Sequence, residues 1–463
     1  MLAERASGLA ARHRPGAAIA GLFIVWAFVW DNARQARGAV TDPFLVLPIP
    51  RVAKGFEVVA LIAIFIWSVV AQGNRTFQWV VGTTVLCLAV LMAICSSVIG
   101  TFAGFTSLVS ALQTTYGYIG PLMLAAAVGA LAREGSEPTR ILRIFCVMVT
   151  GNALVAWYQF GLKASWGDAV HGAMHDAHVY ANVAWLAAFW LVVSLYNTRK
   201  GWWRALVLLA LIVPTAWAAQ NEAGNLAFAI LILCFVVAVL WRRGWLWRLS
   251  AFAILVPMLV LLVPTAEGNI RLPAWGARLE LVLRNFRTVG LVQGYVQIPS
   301  VMVKLPHSFL VGTGPGSYGS ALAVDVEQSG REAPPLAQAY TQESYRLNDA
   351  TRGMLGSFVQ KSTDLAAFLV EFGPLIVLCS IAAMCLLVLG PAIRAMSSVG
   401  ESHRAVGQWV LLSTCYLGLV SATTSFYGWS VAHTSTLAIL AVGGSLIPPV
   451  TRAPASAQDD GPA

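Results

Sequence analysis

The stretch "VQKSTDLAAFLVEFGPLIVL", Val359 to Leu378, leaves its last lysine at Lys361 and then runs apolar past Leu389 with few polar interruptions. A helix needs about 20 predominantly apolar residues to cross the hydrocarbon core of a bilayer. The stretch therefore reads as the start of a membrane span over 362–390. Two acids ride on it, Asp364 near the boundary and Glu371 two turns further in. A carboxylate is expensive in lipid and is usually functional or paired inside a bundle, which makes both residues site candidates. Bonding of Glu371 to a neighbouring helix, purely for packing, is the plainer alternative.

Composition agrees with a membrane protein. Of 463 residues, 58% are hydrophobic and 11% charged, where soluble domains carry about 25% charged residues. Mean hydropathy is +0.71. Scanning for spans places helices near 16–31, 56–73, 78–98, 113–132, 141–161, 178–197, 204–220, 224–241, 248–265, 362–390, 406–424 and 430–448. The expected fold class is all-α, a polytopic integral membrane protein of about 12 transmembrane helices. It divides into a membrane domain over 1–265 with helices 1–9, a large loop over 266–361, and a second membrane segment over 362–448 with helices 10–12. A polar tail over 449–463 is expected to be disordered. A connection as long as 266–361 is unusual without structure of its own and is a functional suspect.

The net charge of +9 does not call for nucleic acid. Much of it lies in short loops beside apolar runs, where lysine and arginine set membrane orientation. "REGSEPTR", "NTRKGWWR", "WRRGWLWR" and "PAIRAMSSVGESHR" are basic, and Trp202, Trp203, Trp241, Trp245 and Trp247 ring them as interfacial anchors. "SSVIGTFAGFTS" and "QNEAGN" on the opposite side carry no lysine or arginine. Loop one, with Arg34, Arg37, Arg51 and Lys54, runs against this rule, but the balance puts both termini in the cytoplasm and the large loop outside. The N-terminal span has Trp26, Trp30 and Asp31 where a cleavage site would need small residues, so it is expected to remain. The cysteines all fall in apolar runs without paired spacing and read as packing residues.

Four further stretches could carry chemistry. "LVGTGPGSYGS", Leu310 to Ser320, is glycine-rich, yet no Gly-Lys-Ser/Thr ends it and no βαβ unit surrounds it. A nucleotide loop is therefore excluded. Gly314 and Gly316 instead permit a tight turn or a close backbone approach, by neighbouring protein or by a ligand. "WGARLELVLRNFRTVG" has Leu279, Val282, Leu283 and Phe286 at helical spacing with Arg278, Arg284 and Arg287 between them. It reads as an amphipathic surface helix whose arginines either snorkel or clamp phosphate. "DAVHGAMHDAH" holds His171, His175 and His178 with Asp168. On a helix these share a face, which allows metal ligation, hydrogen bonding to a polar substrate, or acid–base work. Glu222 in "QNEAGN" sits at an outer helix end.

Taken in order, the arginine-bearing helix, "VGTGPGSYG", a polar excursion and a span with E-x-G near its start resemble the O-antigen ligase and Wzy-type polysaccharide polymerase family. "GAMHDAHVYAN" is similar to the histidine/asparagine-bearing start of a middle helix in that family. The resemblance implies a GT-C-like fold in the bacterial inner membrane, with the large loop and active site facing the periplasm. It implies a metal-independent inverting glycosyltransferase, without cofactor, that takes glycan from undecaprenyl diphosphate. Arg278 matches the family's loop arginine, so Arg278 and Arg284 are expected to hold diphosphate. Glu222, His171, His175 and His178 are the candidates for proton transfer. Ser362 and Thr363 stand where ligases carry His-Asn, and Asn221, Glu222 and Ala223 stand where many members carry Ser-Arg-Gly. The expectation is accordingly a repeat-unit polymerase, with ligase-type transfer of glycan to lipid A-core or protein as the alternative. Its implied partners are the lipid-linked oligosaccharide, membrane lipids, a chain-length regulator and a flippase. A secondary transporter or flippase is the rival from another class.

Overall fold

The computed structural model describes residues 15–35, 52–70, 76–131, 137–162, 170–174, 176–197, 202–219, 222–241, 294–318, 363–398, 400–423 and 433–447. Among them every regular element is helical. Eight helices come first: α1 (Pro15–Gln35), α2 (Val52–Val70), α3 (Phe77–Phe102), α4 (Leu108–Leu131), α5 (Glu137–Trp157), α6 (Ala177–Asn197), α7 (Trp202–Ala218) and α8 (Glu222–Trp241). Two short ones follow, α9 (Ile298–Lys304) and α10 (Ser308–Val311). The chain closes with α11 (Asp364–Met384), α12 (Gly390–Met396), α13 (Glu401–Thr423) and α14 (His433–Gly444). A π turn, Tyr158–Leu162, extends α5, and another, Cys385–Leu389, joins α11 to α12.

Each span read from the sequence coincides with one of these helices except 248–265, which lies outside the described residues. Among the described residues six helices are long and apolar enough to cross a membrane by length and composition, and α1, α2, α7, α8 and α14 supply shorter apolar ones. The chain is thus a helical membrane protein. Its outward faces carry side chains that water would not tolerate in such density, among them Leu91, Val147, Val207, Leu233 and Leu378. Burial on all sides marks α6 as the centre of the bundle: Ala177, Tyr180, Ala184, Trp185, Ala188 and Phe189 are all enclosed.

Without a hydrophobic drive between helices in lipid, close packing and buried hydrogen bonds hold them together. At Gly444 a Cβ would come within 2.2 Å of the Ala125 carbonyl, so α14 and α4 touch backbone to backbone. The Glu57 carboxylate on α2 accepts from Trp26 Nε1 of α1 (2.9 Å) and from the Tyr116 hydroxyl of α4 (2.6 Å). That buried acid ties three helices and was not singled out by its sequence context. On α6, Tyr180 pairs with Thr215 of α7 (2.5 Å) and Trp185 Nε1 donates to Asn225 of α8 (2.9 Å).

Three bonds fix which end is which. Asn197 Nδ2 donates to Gln408 (2.8 Å), Trp409 Nε1 to the Leu186 carbonyl (2.8 Å) and the Tyr416 hydroxyl to Asn182 (2.7 Å). So α6 and α13 run antiparallel, and the start of α6 lies beside the end of α13. The Tyr295 hydroxyl donates to the Ala422 carbonyl (3.0 Å), which brings the segment from the large loop to that same end. We term it the upper end. The lower end carries Arg140, Arg143, Arg204, Arg394 and Arg404. Trp202 and Trp203 stand exposed there, with the Arg204 guanidinium 5.3 Å over the Trp203 ring.

Candidate functional site at the upper end of the bundle

The site begins with a break in α11. Thr363 caps the helix, its side chain accepting from the Ala366 amide (3.2 Å), and Asp364 occupies the first turn. Nine residues on, Gly373 leaves the helical region (φ 78°, ψ 155°) and Pro374 follows. Proline has no amide to donate, and the turn at Gly373 breaks the next bond of the ladder, so the carbonyls of Val370 and Glu371 lose their intrahelical partners.

The glycine stretch takes them. The Thr313 amide donates to the Val370 carbonyl (2.9 Å) and the Gly314 amide to the Glu371 carbonyl (3.1 Å). The Ser96 hydroxyl of α3 also reaches the latter (3.3 Å). The Glu371 side chain then enters the loop: Gly316 N–H donates to Oε2 (2.7 Å) and Tyr318 N–H to Oε1 (3.0 Å). Glu371 is wholly enclosed, as are Thr313 and Ser317, whose hydroxyls pair at 2.7 Å. The stretch does cradle an anion, in the manner of backbone amide nests. The anion is the protein's own carboxylate.

Gly312, Gly314 and Gly316 all have a positive φ, and at the first two a neighbour's backbone also closes in. Gly312 has φ 71°, and a Cβ there would lie 2.1 Å from the Glu371 carbonyl oxygen. Gly314 has φ 106° and meets Gly100 of α3, which a Cβ would approach to 2.7 Å. The close approach read from the sequence is therefore to neighbouring protein. The loop is a plug wedged between α3, α4 and α11 rather than a surface turn. Tyr318 completes it, its hydroxyl donating to the Gly294 carbonyl (3.2 Å). Burial, and then the charge of Glu371, raise its phenol above the ordinary tyrosine value.

Asp364 is also buried, and it opens onto a cavity of about 280 Å³ between α4, α11, α13 and α14. The Tyr118 hydroxyl lies 3.5 Å from the Asp364 carbonyl, and the Tyr118 ring stacks on Phe368 at 4.7 Å. Tyr295 stands close by. Its phenol is raised by burial, lowered by a hydrogen bond with Thr363 and raised again by the charge of Asp364, with a net upward shift. Sequence reading missed Tyr118 and Ser380 of the cavity wall. Polar side chains inside otherwise apolar spans were the available signal.

The histidines are placed differently from expectation. The helical-face argument fails because Asp176 caps α6, accepting from the His178 amide (2.6 Å), and the helix starts only at Ala177. His171 lies in a turn held on the π turn of α5. Gln159 accepts from the His171 and Gly172 amides (3.0 and 2.9 Å) and donates to the Gly172 carbonyl (3.0 Å). Asn152 accepts from the Ala173 amide (3.1 Å). His171 Nδ1 faces the Met174 carbonyl at 2.8 Å. A carbonyl only accepts, so Nδ1 carries the proton and Nε2 is the basic nitrogen. Replacing Gln159 by Ala leaves two buried amides without acceptors. It should cost about 2–6 kcal/mol, read as a lowered unfolding temperature and faster amide exchange at His171 and Gly172.

Glu222 opens α8 at the upper end. The structure thus brings His171, His178, Glu222, Asp364, Glu371, Gly314 and Gly316 to one end, with Asp364, Glu371 and the loop in one assembly. Arg278, Arg284 and His175 lie outside the described residues.

No protein-family model and no curated protein matches the chain. What the site can do therefore rests on its residues alone. Beside the loop-bound Glu371, the upper end offers the Asp364 carboxylate, an oriented imidazole and an apolar cavity, a set suited to proton transfer at the edge of a membrane.

Proposed function

We propose that the protein is a polysaccharide repeat-unit polymerase. In this reading it is an inverting glycosyltransferase that moves glycan from undecaprenyl diphosphate to a lipid-linked acceptor at the periplasmic face of a bacterial inner membrane. The observation that carries the reading is the separation of the two ends. Arg140, Arg143, Arg204, Arg394 and Arg404 lie at the lower end with the exposed Trp202 and Trp203, as at a cytoplasmic face, against Arg34, Lys54 and Lys304 at the upper one, where the candidate acid–base groups gather. An enzyme using a donor already energised by its diphosphate needs no nucleotide site there.

The chemistry requires few parts. The diphosphate leaves with its charge on oxygens that the guanidinium groups of Arg278 and Arg284 would meet. A proton must leave the acceptor hydroxyl. Among the described candidates, His171 has the orientation for this, with Nδ1 held by Met174 and Nε2 basic. Glu371 has no such role, because both of its carboxylate oxygens are engaged by loop amides. It positions the loop.

Arg278→Ala is expected to leave the protein level unchanged and to remove high-mass polymer, with single repeats accumulating on the lipid carrier. Normal polymer in that variant would overturn the diphosphate assignment. Purified protein given a lipid-diphosphate oligosaccharide should form glycosidic bonds without an ion gradient. Movement of that lipid across vesicles without bond formation would replace this reading with transport.

A further inference from the structure

At the lower end, α5 and α7 pack side by side and run in the same direction. Trp157 Nε1 of α5 donates to the Leu211 carbonyl of α7 (2.7 Å), which pins the seam between them. The helical repeat then fixes what borders that seam further down. Arg204 precedes Leu211 by two turns and so lies on the same flank of α7. Arg143 precedes Trp157 by about four turns and so lies on the α7-facing flank of α5. Side chains lean toward a helix N-terminus, so Trp157 reaches down to make its bond. The two arginines therefore stand at levels one to two turns, about 5–10 Å, apart.

Charge and polarity along the seam are sharply divided. Arg143 and Arg204 are exposed, as is Arg140. Glu137 is the one acid on α5 and is wholly buried, while α7 carries none. The sequence next to these helices adds Arg133, Arg199 and Lys200 against Glu134. Above the arginines the exposed side chains turn apolar, with Val147 and Leu154 on α5 and Val207 on α7. The exposed Trp203, whose ring lies 5.3 Å beneath the Arg204 guanidinium, marks the depth of lipid headgroups, where tryptophan collects. Arginines that serve only to orient the chain need to be on this side of the membrane, but they need not border one seam.

We propose that the lower end of this seam seats one anionic phospholipid, its phosphate between Arg143 and Arg204 and its acyl chains along Val147, Leu154 and Val207. Guanidinium forks match phosphate oxygens and keep their charge at any physiological pH. A zwitterionic head brings its own ammonium against the two cations, so an anionic head is preferred. A soluble anion would gain nothing from the apolar strip above the arginines, whereas acyl chains cover it. The seam lies at the opposite end of the bundle from Asp364, Glu371 and His171, so the inference does not depend on glycosyl transfer.

The test titrates the full-length protein, purified in a non-ionic detergent, with palmitoyl-oleoyl phosphatidylglycerol or the matching phosphatidylcholine, and counts bound lipids by native mass spectrometry. A basic side chain at a headgroup favours an anionic lipid about fivefold, so phosphatidylglycerol should bind at least about tenfold more tightly, at one site. Arg143→Gln combined with Arg204→Gln should bring the two lipids within about threefold of each other. Arg394→Gln combined with Arg404→Gln removes as many charges elsewhere at the same end and should leave the preference within about twofold of the unaltered protein's. Should either double variant fail to fold, photoactivatable phosphatidylglycerol on the unaltered protein in nanodiscs decides instead, with crosslinks expected to concentrate on α5 and α7. Equal binding of both lipids to the unaltered protein, an undiminished preference in the folded Arg143 and Arg204 variant, an equal loss in the Arg394 and Arg404 variant, or crosslinks spread evenly over the bundle would overturn the proposal.

Discussion

Glu371→Ala is expected to lose about 2–6 kcal/mol of stability, because it leaves two enclosed amides, Gly316 and Tyr318, without acceptors at about 1–3 kcal/mol each. The effect should be local before it is global. Amide exchange at 316–318 should rise first, while the backbone around the Asn197–Gln408 bond at the lower end stays protected. Glu371→Gln is the informative partner. Its amide oxygen still accepts from one loop N–H, but its NH₂ group faces the other donor, so it should recover part of the loss. If Glu371→Gln and Glu371→Ala unfolded at the same temperature as the unaltered protein, the carboxylate would not be what holds the loop.

Gly312→Ala should be about as damaging by a different route. A left-handed backbone costs a non-glycine residue about 1–2 kcal/mol. The new methyl must also displace the Glu371 carbonyl, which the Gly314 amide and the Ser96 hydroxyl hold in place. Overpacking of that kind costs about 1–3 kcal/mol more. The sum is a large share of a typical folding stability of about 5–15 kcal/mol. Limited proteolysis within 312–318 should become rapid. Gly418→Ala, where a methyl enters open space, serves as the control and should leave the melting curve in place.

Much of the bundle was readable in advance because lipid demands long apolar helices, and such runs are local in sequence. Glu371 was legible as a problem, since a carboxylate that deep needs a partner. The partner itself was not legible: Gly316 lies 55 residues earlier, and no periodicity links the two. The break that joins them did leave a trace, because Gly373-Pro374 within a span announces freed carbonyls. The histidine reading failed for a comparable reason. His171, His175 and His178 have helical spacing, but Asp176 between them is a helix cap, so the helix begins after the first two. The cavity was hidden because it is shared among four helices, each contributing residues that look ordinary alone.

The broken turn of α11 also dictates a sequence of events during biogenesis. The amides of Thr313, Gly314, Gly316 and Tyr318 emerge from the ribosome roughly fifty residues ahead of the carbonyls and carboxylate that receive them. Until α11 is inserted, those four donors must stay hydrated, so the plug cannot seat while the first eight helices assemble. The nascent protein is thus sealed from its C-terminal side, and a chain that stalls before Gly373 remains open at its upper end.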